Sequence, residues 1–176
     1  MEPSRELLDR LYRAAWALCG SPHDAEDLVQ ETFARVLARP RLFQRGEPAP
    51  YLMKALRNTY LTGLRTASRR PRTTELPAEE SSRMESSRAR PEVALEQRAI
   101  LDAISALPDE FREALVAVDI VGLSYREAGR ALGVPEATIA SRLFRARRRV
   151  ARGLGSDQGD SRETAGVSRS GQERHD

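Results

Sequence analysis

The chain has 176 residues, 40% hydrophobic and 31% charged, with 29 basic and 26 acidic side chains and a net charge of +3. That length suits one ordinary domain or two small ones, with a packed core that is not large. A single cysteine, Cys19, excludes an internal disulfide and a cysteine-based zinc site, the N-terminus lacks a signal-peptide pattern, and the apolar run Ala114–Val118 is too short to span a bilayer, so a soluble cytoplasmic protein is expected.

A first helix is predicted to start after Ser4, with Leu7, Leu8, Leu11, Tyr12, Ala15, Leu18 and Cys19 as its apolar stripe and Gly20 as its stop. Ser21 caps a second, with Pro22 at the first helical position, and this helix runs to about Arg39. Its apolar face is Ala25, Leu28, Val29, Phe33, Val36 and Leu37, while Asp24, Glu26, Asp27 and Glu31 make its other side acidic. Pro40 closes it, and residues 41–49, with Gly46, Pro48 and Phe43, read as a loop. A third helix is predicted from near Pro50 to about Ser68, with Leu52, Ala55, Leu56, Thr59, Gly63 and Leu64 inward. Lys54, Arg57, Asn58, Leu61 and Arg65 form a basic stripe on its opposite side.

Residues 69–91 are rich in Ser, Arg, Glu and Pro without apolar periodicity, a composition that cannot bury enough surface to order itself. We read this stretch as a flexible linker between two helical domains. Helix resumes near Glu92, with Leu95, Ile100 or Leu101, Ile104 and Leu107 inward, and Pro108 opens the next helix. From Ser124 to Arg152 two helices are broken by a short turn. Ser124 and Glu127 have capping-box spacing, Ala128 and Gly129 allow close approach, and Gly133-Val134-Pro135 makes the turn. Ile139, Leu143, Ala146 and Val150 form an apolar seam on the second helix. Small residues, a tight turn and a basic outer face describe a DNA-binding helix-turn-helix. After Gly153 the chain is polar and expected to be disordered.

Charge is distributed unevenly. Residues 136–152 carry six arginines and one acid, whereas residues 155–176 carry three arginines and five acids. A local positive cluster matters more to a polyanion than the total does. The fold expectation is therefore all-α, with two small helical domains joined by a flexible linker and a helix-turn-helix in the second. The boundaries are 1–70, linker 71–91, 92–154 and a tail 155–176.

Four stretches occur in order: LYRAAWALCG, DAEDLVQETFARVL, YLMKALRNTYLTGLR and, after the linker, LPDEFREALVAVDIVGLSYREAGRALGVPEATIASRLFRARRRV. Together they resemble bacterial sigma factors of the sigma-70 family, in the short two-domain form of the extracytoplasmic-function group. The resemblance covers roughly residues 5–153. It implies a promoter-specificity subunit of RNA polymerase with no chemistry or cofactor of its own. By that resemblance Asp24, Glu26, Asp27, Gln30 and Glu31 dock on core RNA polymerase. Phe43, Tyr51, Lys54, Arg57, Asn58 and Arg65 meet the −10 element, where loop 42–49 would form a pocket for a flipped base. Glu136, Ala137, Thr138, Ser141, Arg142 and Arg145 meet the −35 element, and Arg147, Arg148 and Arg149 face phosphate or solvent. Promoter DNA, core polymerase and an anti-sigma factor are the implied partners. Two positions depart from the family pattern: Tyr51 stands where tryptophan is usual, and Thr62 where aspartate is common.

Two other classes compete. A stand-alone helix-turn-helix regulator with an N-terminal sensor or dimerisation domain leaves the acidic second helix and basic third helix less well explained. An enzyme would have to use His23 with Glu26, or Asp27 with Glu31, as metal ligands, without a second nearby histidine, a phosphate-binding loop or a nucleophile motif.

Overall fold

The computed structural model describes residues 4–38, 48–69 and 91–163, with side chains over 4–38, 48–68 and 94–155. Every element among them is helical: α1 (Arg5–Cys19), α2 (Pro22–Leu37), α3 (Pro48–Arg69), α4 (Pro91–Ser105), α5 (Asp109–Leu115), a π-helical turn (Val116–Ile120), α6 (Tyr125–Leu132) and α7 (Glu136–Glu163). The linker and the 41–47 part of the loop, with Phe43, lie outside the described residues.

Local chemistry sets the helix ends. The Ser4 hydroxyl accepts from the Leu7 N–H at 3.3 Å, and Gly20 closes α1 in the left-handed conformation at φ 78°. Ser21 caps α2 by accepting from the Asp24 N–H at 3.4 Å. At α6 the capping box is complete: the Glu127 N–H donates to Ser124 Oγ at 3.3 Å, and the Ser124 N–H donates to Glu127 Oε2 at 2.8 Å. Gly133 ends α6 at φ 73°. A Cβ on Gly129 would lie 2.8 Å from the Val134 carbonyl oxygen, so only glycine lets the turn fold this tightly over α6.

Helix α1 organises the packing. Leu7, Leu11, Ala14, Ala15, Ala17 and Leu18 are buried, a face rotated toward Ala14 and Ala17 from the predicted stripe. The reason is a second layer. Helices α2 and α3 pack on one flank of α1, while α4, α5 and the π-turn pack on the other. The two halves therefore share one buried cluster, running from Leu7 through Leu56 to Ala146. In addition, α3 touches α6.

Several inward positions differ from expectation. Leu37 is 72% exposed and Thr32 is buried in its place, its hydroxyl donating to the Leu28 carbonyl at 2.7 Å. The buried α2 positions Ala25, Leu28, Thr32 and Val36 follow the helical repeat, which carries Leu37 past the contact. In α3, Met53 joins Leu52, Leu56 and Thr59 in the core, whereas Gly63 and Leu64 are exposed because the end of α3 overhangs its neighbours. Leu101 and Ile104 of α4 and Leu107 just beyond it are buried, while Leu95 and Ile100 are exposed. The seam of α7 holds as expected, with Ile139, Leu143 and Ala146 buried and Val150 against them. The α7 backbone continues past Gly153 to Glu163. An interior glycine weakens a helix by about 1 kcal/mol relative to alanine but does not by itself end one, and neither Gly153 nor Gly155 takes the positive φ of a terminating residue.

Burial, with Asp24 adding to it and Arg112 opposing, pushes the Cys19 thiol up to about 12. The expected result is slow alkylation by iodoacetamide at pH 8 in the folded protein, becoming fast in urea; mass spectrometry over time checks this. Gly129→Ala should lower stability by about 1–3 kcal/mol, because the clash is with backbone; urea melts read it. The Ser124 hydroxyl and backbone N–H, bonded to Glu127, hold its carboxyl below the usual carboxylate range. That contribution is present above the unfolded-state pKa and is lost as pH falls through the depressed value. Ser124→Ala should therefore lower stability by about 1 kcal/mol at neutral pH, with the difference narrowing in acid.

Candidate nucleic-acid and partner interfaces

Three surfaces gather the candidate residues. The first is the outer side of α2, where the N-terminal cap leaves the helix pointing its acids outward. Asp24, Asp27, Gln30 and Glu31 are exposed, and Glu26 is half-buried. His23 Nε2 lies 3.8 Å from Asp27 Oδ2, and Arg35 Nε donates to Glu31 Oε1 at 2.7 Å. Val29 and Phe33, half-buried, turn the helix's other side to the core. Among the described residues no group of three or more His, Cys, Asp or Glu side chains is placed to hold a metal ion.

The second surface is an open groove of about 730 Å³ between the end of α2 and α3. Tyr51, Lys54, Asn58 and Thr59 line it from α3, and Arg35, Val36 and Ala38 from α2. Lys54 and Asn58 are exposed one helical turn apart, and Arg65 continues their line, exposed, two turns on. A cation, a carboxamide and a phenol ring around one open groove suit a nucleobase with its phosphate. Arg57 is not part of this groove. It is half-buried on another side of α3, and its Nε donates to Glu113 Oε2 of α5 at 2.8 Å.

The third surface is α7. Glu136, Ala137, Ser141 and Arg145 are exposed, while Thr138 and Arg142 are half-buried. The arginines of this helix divide by partner. Arg142 reaches back to Glu110 of α5 at 3.3 Å. Arg147 makes a two-pronged pair with Asp119 of the π-turn, at 2.9 and 2.6 Å. The Arg149 guanidinium sits 4.8 Å over the Phe111 ring. These three tie the helix to its own domain, and Arg147 and Arg149 also remain exposed to solvent, one of the two settings read for them from sequence. Arg145 stays on the outer face with Ala137 and Ser141.

Phe144 is on that outer face as well, 62% exposed, with the Arg148 guanidinium 5.7 Å over its ring. It is not among the contact residues expected from the sequence. Its signal was available: it falls outside the Ile139–Leu143–Ala146 seam and three residues after Ser141, in register with the polar face. An apolar ring presented among arginines matches a thymine methyl or a sugar better than it matches water.

Substituting Arg145→Ala should reduce the slope of log affinity against log salt on duplex DNA by about one. The double substitution Asp119→Asn, Arg147→Gln should leave that slope unchanged. Fluorescence anisotropy over a salt series separates the two.

The profile for sigma-70 region 2 matches residues 4–70, and that for sigma-70 region 4 matches residues 97–150. The extracytoplasmic-function RNA polymerase sigma factor SigE of Mycolicibacterium smegmatis is 38% identical over 165 residues, covering 92% of this chain and 63% of SigE. The corresponding factor SigM of Bacillus subtilis is 30% identical over 147 residues, covering 81% of this chain and 87% of SigM. Among solved structures, the sigma factor RpoE from Bartonella quintana, in complex with the anti-sigma factor NepR, superposes with a TM-score of 0.64 at 27% identity, covering 86% of this chain and 93% of that one. No described helix is long and apolar enough to cross a membrane.

Proposed function

Because the chain belongs to the sigma-70 family of RNA polymerase sigma factors, in its extracytoplasmic-function group, we propose that it is a dissociable specificity subunit that binds core RNA polymerase and directs it to promoters. The observation that carries this reading is the groove. Lys54, Asn58 and Tyr51 meet there on one side of the chain, separate from a helix-turn-helix that has its own outward face. One protein thus carries a site suited to an unpaired base and a site suited to duplex DNA.

The roles follow from chemistry. The acids of α2, Asp24, Asp27 and Glu31, suit a basic surface on the polymerase, with Glu26 and Gln30 beside them. Lys54 offers a phosphate contact, Asn58 a paired donor and acceptor for a base edge, and Tyr51 a stacking face. Stacking contributes about 1–3 kcal/mol per base, comparable to the few kcal/mol that unstacking costs. The outer face of α7, from Ala137 through Ser141 to Arg145, enters the major groove at the −35 element. An arginine paired to guanine discriminates by about 1–3 kcal/mol.

These are binding and positioning roles, and no bond-making step is assigned to the chain. An anti-sigma factor is a further expected partner, by likeness to the RpoE complex. A stand-alone regulator would leave the groove and the acids of α2 without use, and tight promoter-specific binding to intact duplex without polymerase would favour that reading.

Run-off transcription with core polymerase and genomic promoters is the test, and promoter-specific product that depends on this protein is expected. The pair Asp27→Lys, Glu31→Lys should abolish polymerase association with helicity unchanged. Asn58→Ala should keep association and lower open-complex formation by about tenfold, the equivalent of 1.4 kcal/mol, read with permanganate footprinting.

A further inference from the structure

Arg35 lies where two of these surfaces meet. It stands in the last turn of α2, one turn after Glu31, and its Nε donates to Glu31 Oε1 at 2.7 Å. Both side chains are open to water, 47% and 53% exposed. The same arginine lines the groove against α3, where Lys54 is the other cation and Tyr51 and Asn58 supply a ring and a carboxamide. None of the described residues lining the groove is acidic. One guanidinium thus borders both the acidic surface assigned to polymerase and the groove assigned to an unpaired base.

Two anions can compete for it. A cation from each helix beside an open groove suits a single-stranded backbone, with a base stacked on the ring between them. A guanidinium can also give a phosphate two parallel N–H donors, a stronger pairing than one Nε contact with a carboxylate. The contact with Glu31 is an exposed pair at four-residue spacing, and such a pair shifts an equilibrium by only about twofold. Glu31 therefore masks Arg35 without locking it.

We propose that Arg35 is a phosphate ligand of the groove, held in reserve by Glu31 and released to single-stranded DNA when a basic partner takes up that carboxylate. The inference deepens the reading of the groove given above and rests on it. The exchange runs within one helical turn, so it needs no change of fold. By linkage it also works in reverse: DNA on Arg35 frees Glu31 for polymerase by the same factor of about two. A pair that only stabilised α2 would behave differently, since losing either member would then have the same effect.

The test uses the full chain without polymerase and a fluorescein-labelled oligothymidine of about twelve nucleotides, followed by anisotropy over a salt series. Arg35→Gln should weaken binding and reduce the slope of log affinity against log salt by about 0.7, the value for one phosphate on a single strand. Arg13→Gln removes an equally exposed charge from α1, outside the groove lining, and should leave the slope unchanged. Glu31→Ala should tighten binding about twofold, and the gain should vanish when Arg35→Gln is added. Both α2 variants lose the same helix pair, so opposite effects on DNA cannot come from helix stability. No binding by the unaltered chain at the lowest salt, an Arg35→Gln slope no lower than that of Arg13→Gln, or a Glu31→Ala gain that is absent or survives Arg35→Gln would each overturn the proposal. Failure to support promoter-specific transcription would instead sink the sigma-factor reading, and the oligothymidine measurements would still decide what Arg35 binds.

Discussion

The burial of α1 on two flanks is the constraint from which the rest of the fold follows. Ala14, Ala15 and Ala17 are fully buried, and small side chains there let helices approach from more than one direction. A single-stripe helix would have served the N-terminal half alone. Because α1 also receives α4, α5 and the π-turn, the position of the helix-turn-helix is set relative to the groove at the end of α2. The Arg57–Glu113 contact trims this packing, but apolar burial on α1 supplies the common core.

Sequence made the punctuation legible. Ser4, Gly20, Ser21, Ser124, Glu127 and Gly133 act on neighbours within a turn, so their roles could be read without knowing the fold. Gly129 was legible for the same reason: the turn that needs its missing side chain begins four residues later. The buried residues were less so. Leu37, Leu64 and Leu95 look like core residues by type and periodicity, yet Leu37 turns off the buried face beside Val36, and Leu64 and Leu95 lie where their helices extend past their partners. Where a neighbouring helix stops is a tertiary fact. Thr32 was overlooked because a hydroxyl reads as polar, although its own helix satisfies it.

The candidate surfaces divide similarly. Lys54 and Asn58 converge on the groove because their four-residue spacing fixes a shared face. Arg57, Arg142 and Arg147 carry the same charge in the same kind of helix, but distant acids take them up. Glu113, Glu110 and Asp119 are far from their arginines in sequence, and nothing local announces such pairing. The π-turn was equally invisible. Its wider winding, with the Val121 N–H bonded to the Val116 carbonyl, accompanies the placement of Asp119 against α7.

The fastening of α7 bears on how such a protein could be retargeted. Ala137, Ser141, Phe144 and Arg145 touch solvent and can be exchanged as a set without disturbing the support beneath them. Arg142 and Arg147 cannot be treated so freely, since each would strand an acid on α5 or the π-turn. An engineer seeking orthogonal promoters could therefore diversify the four outward positions on a fixed chassis, and would transplant a whole foreign helix only together with its acidic anchors.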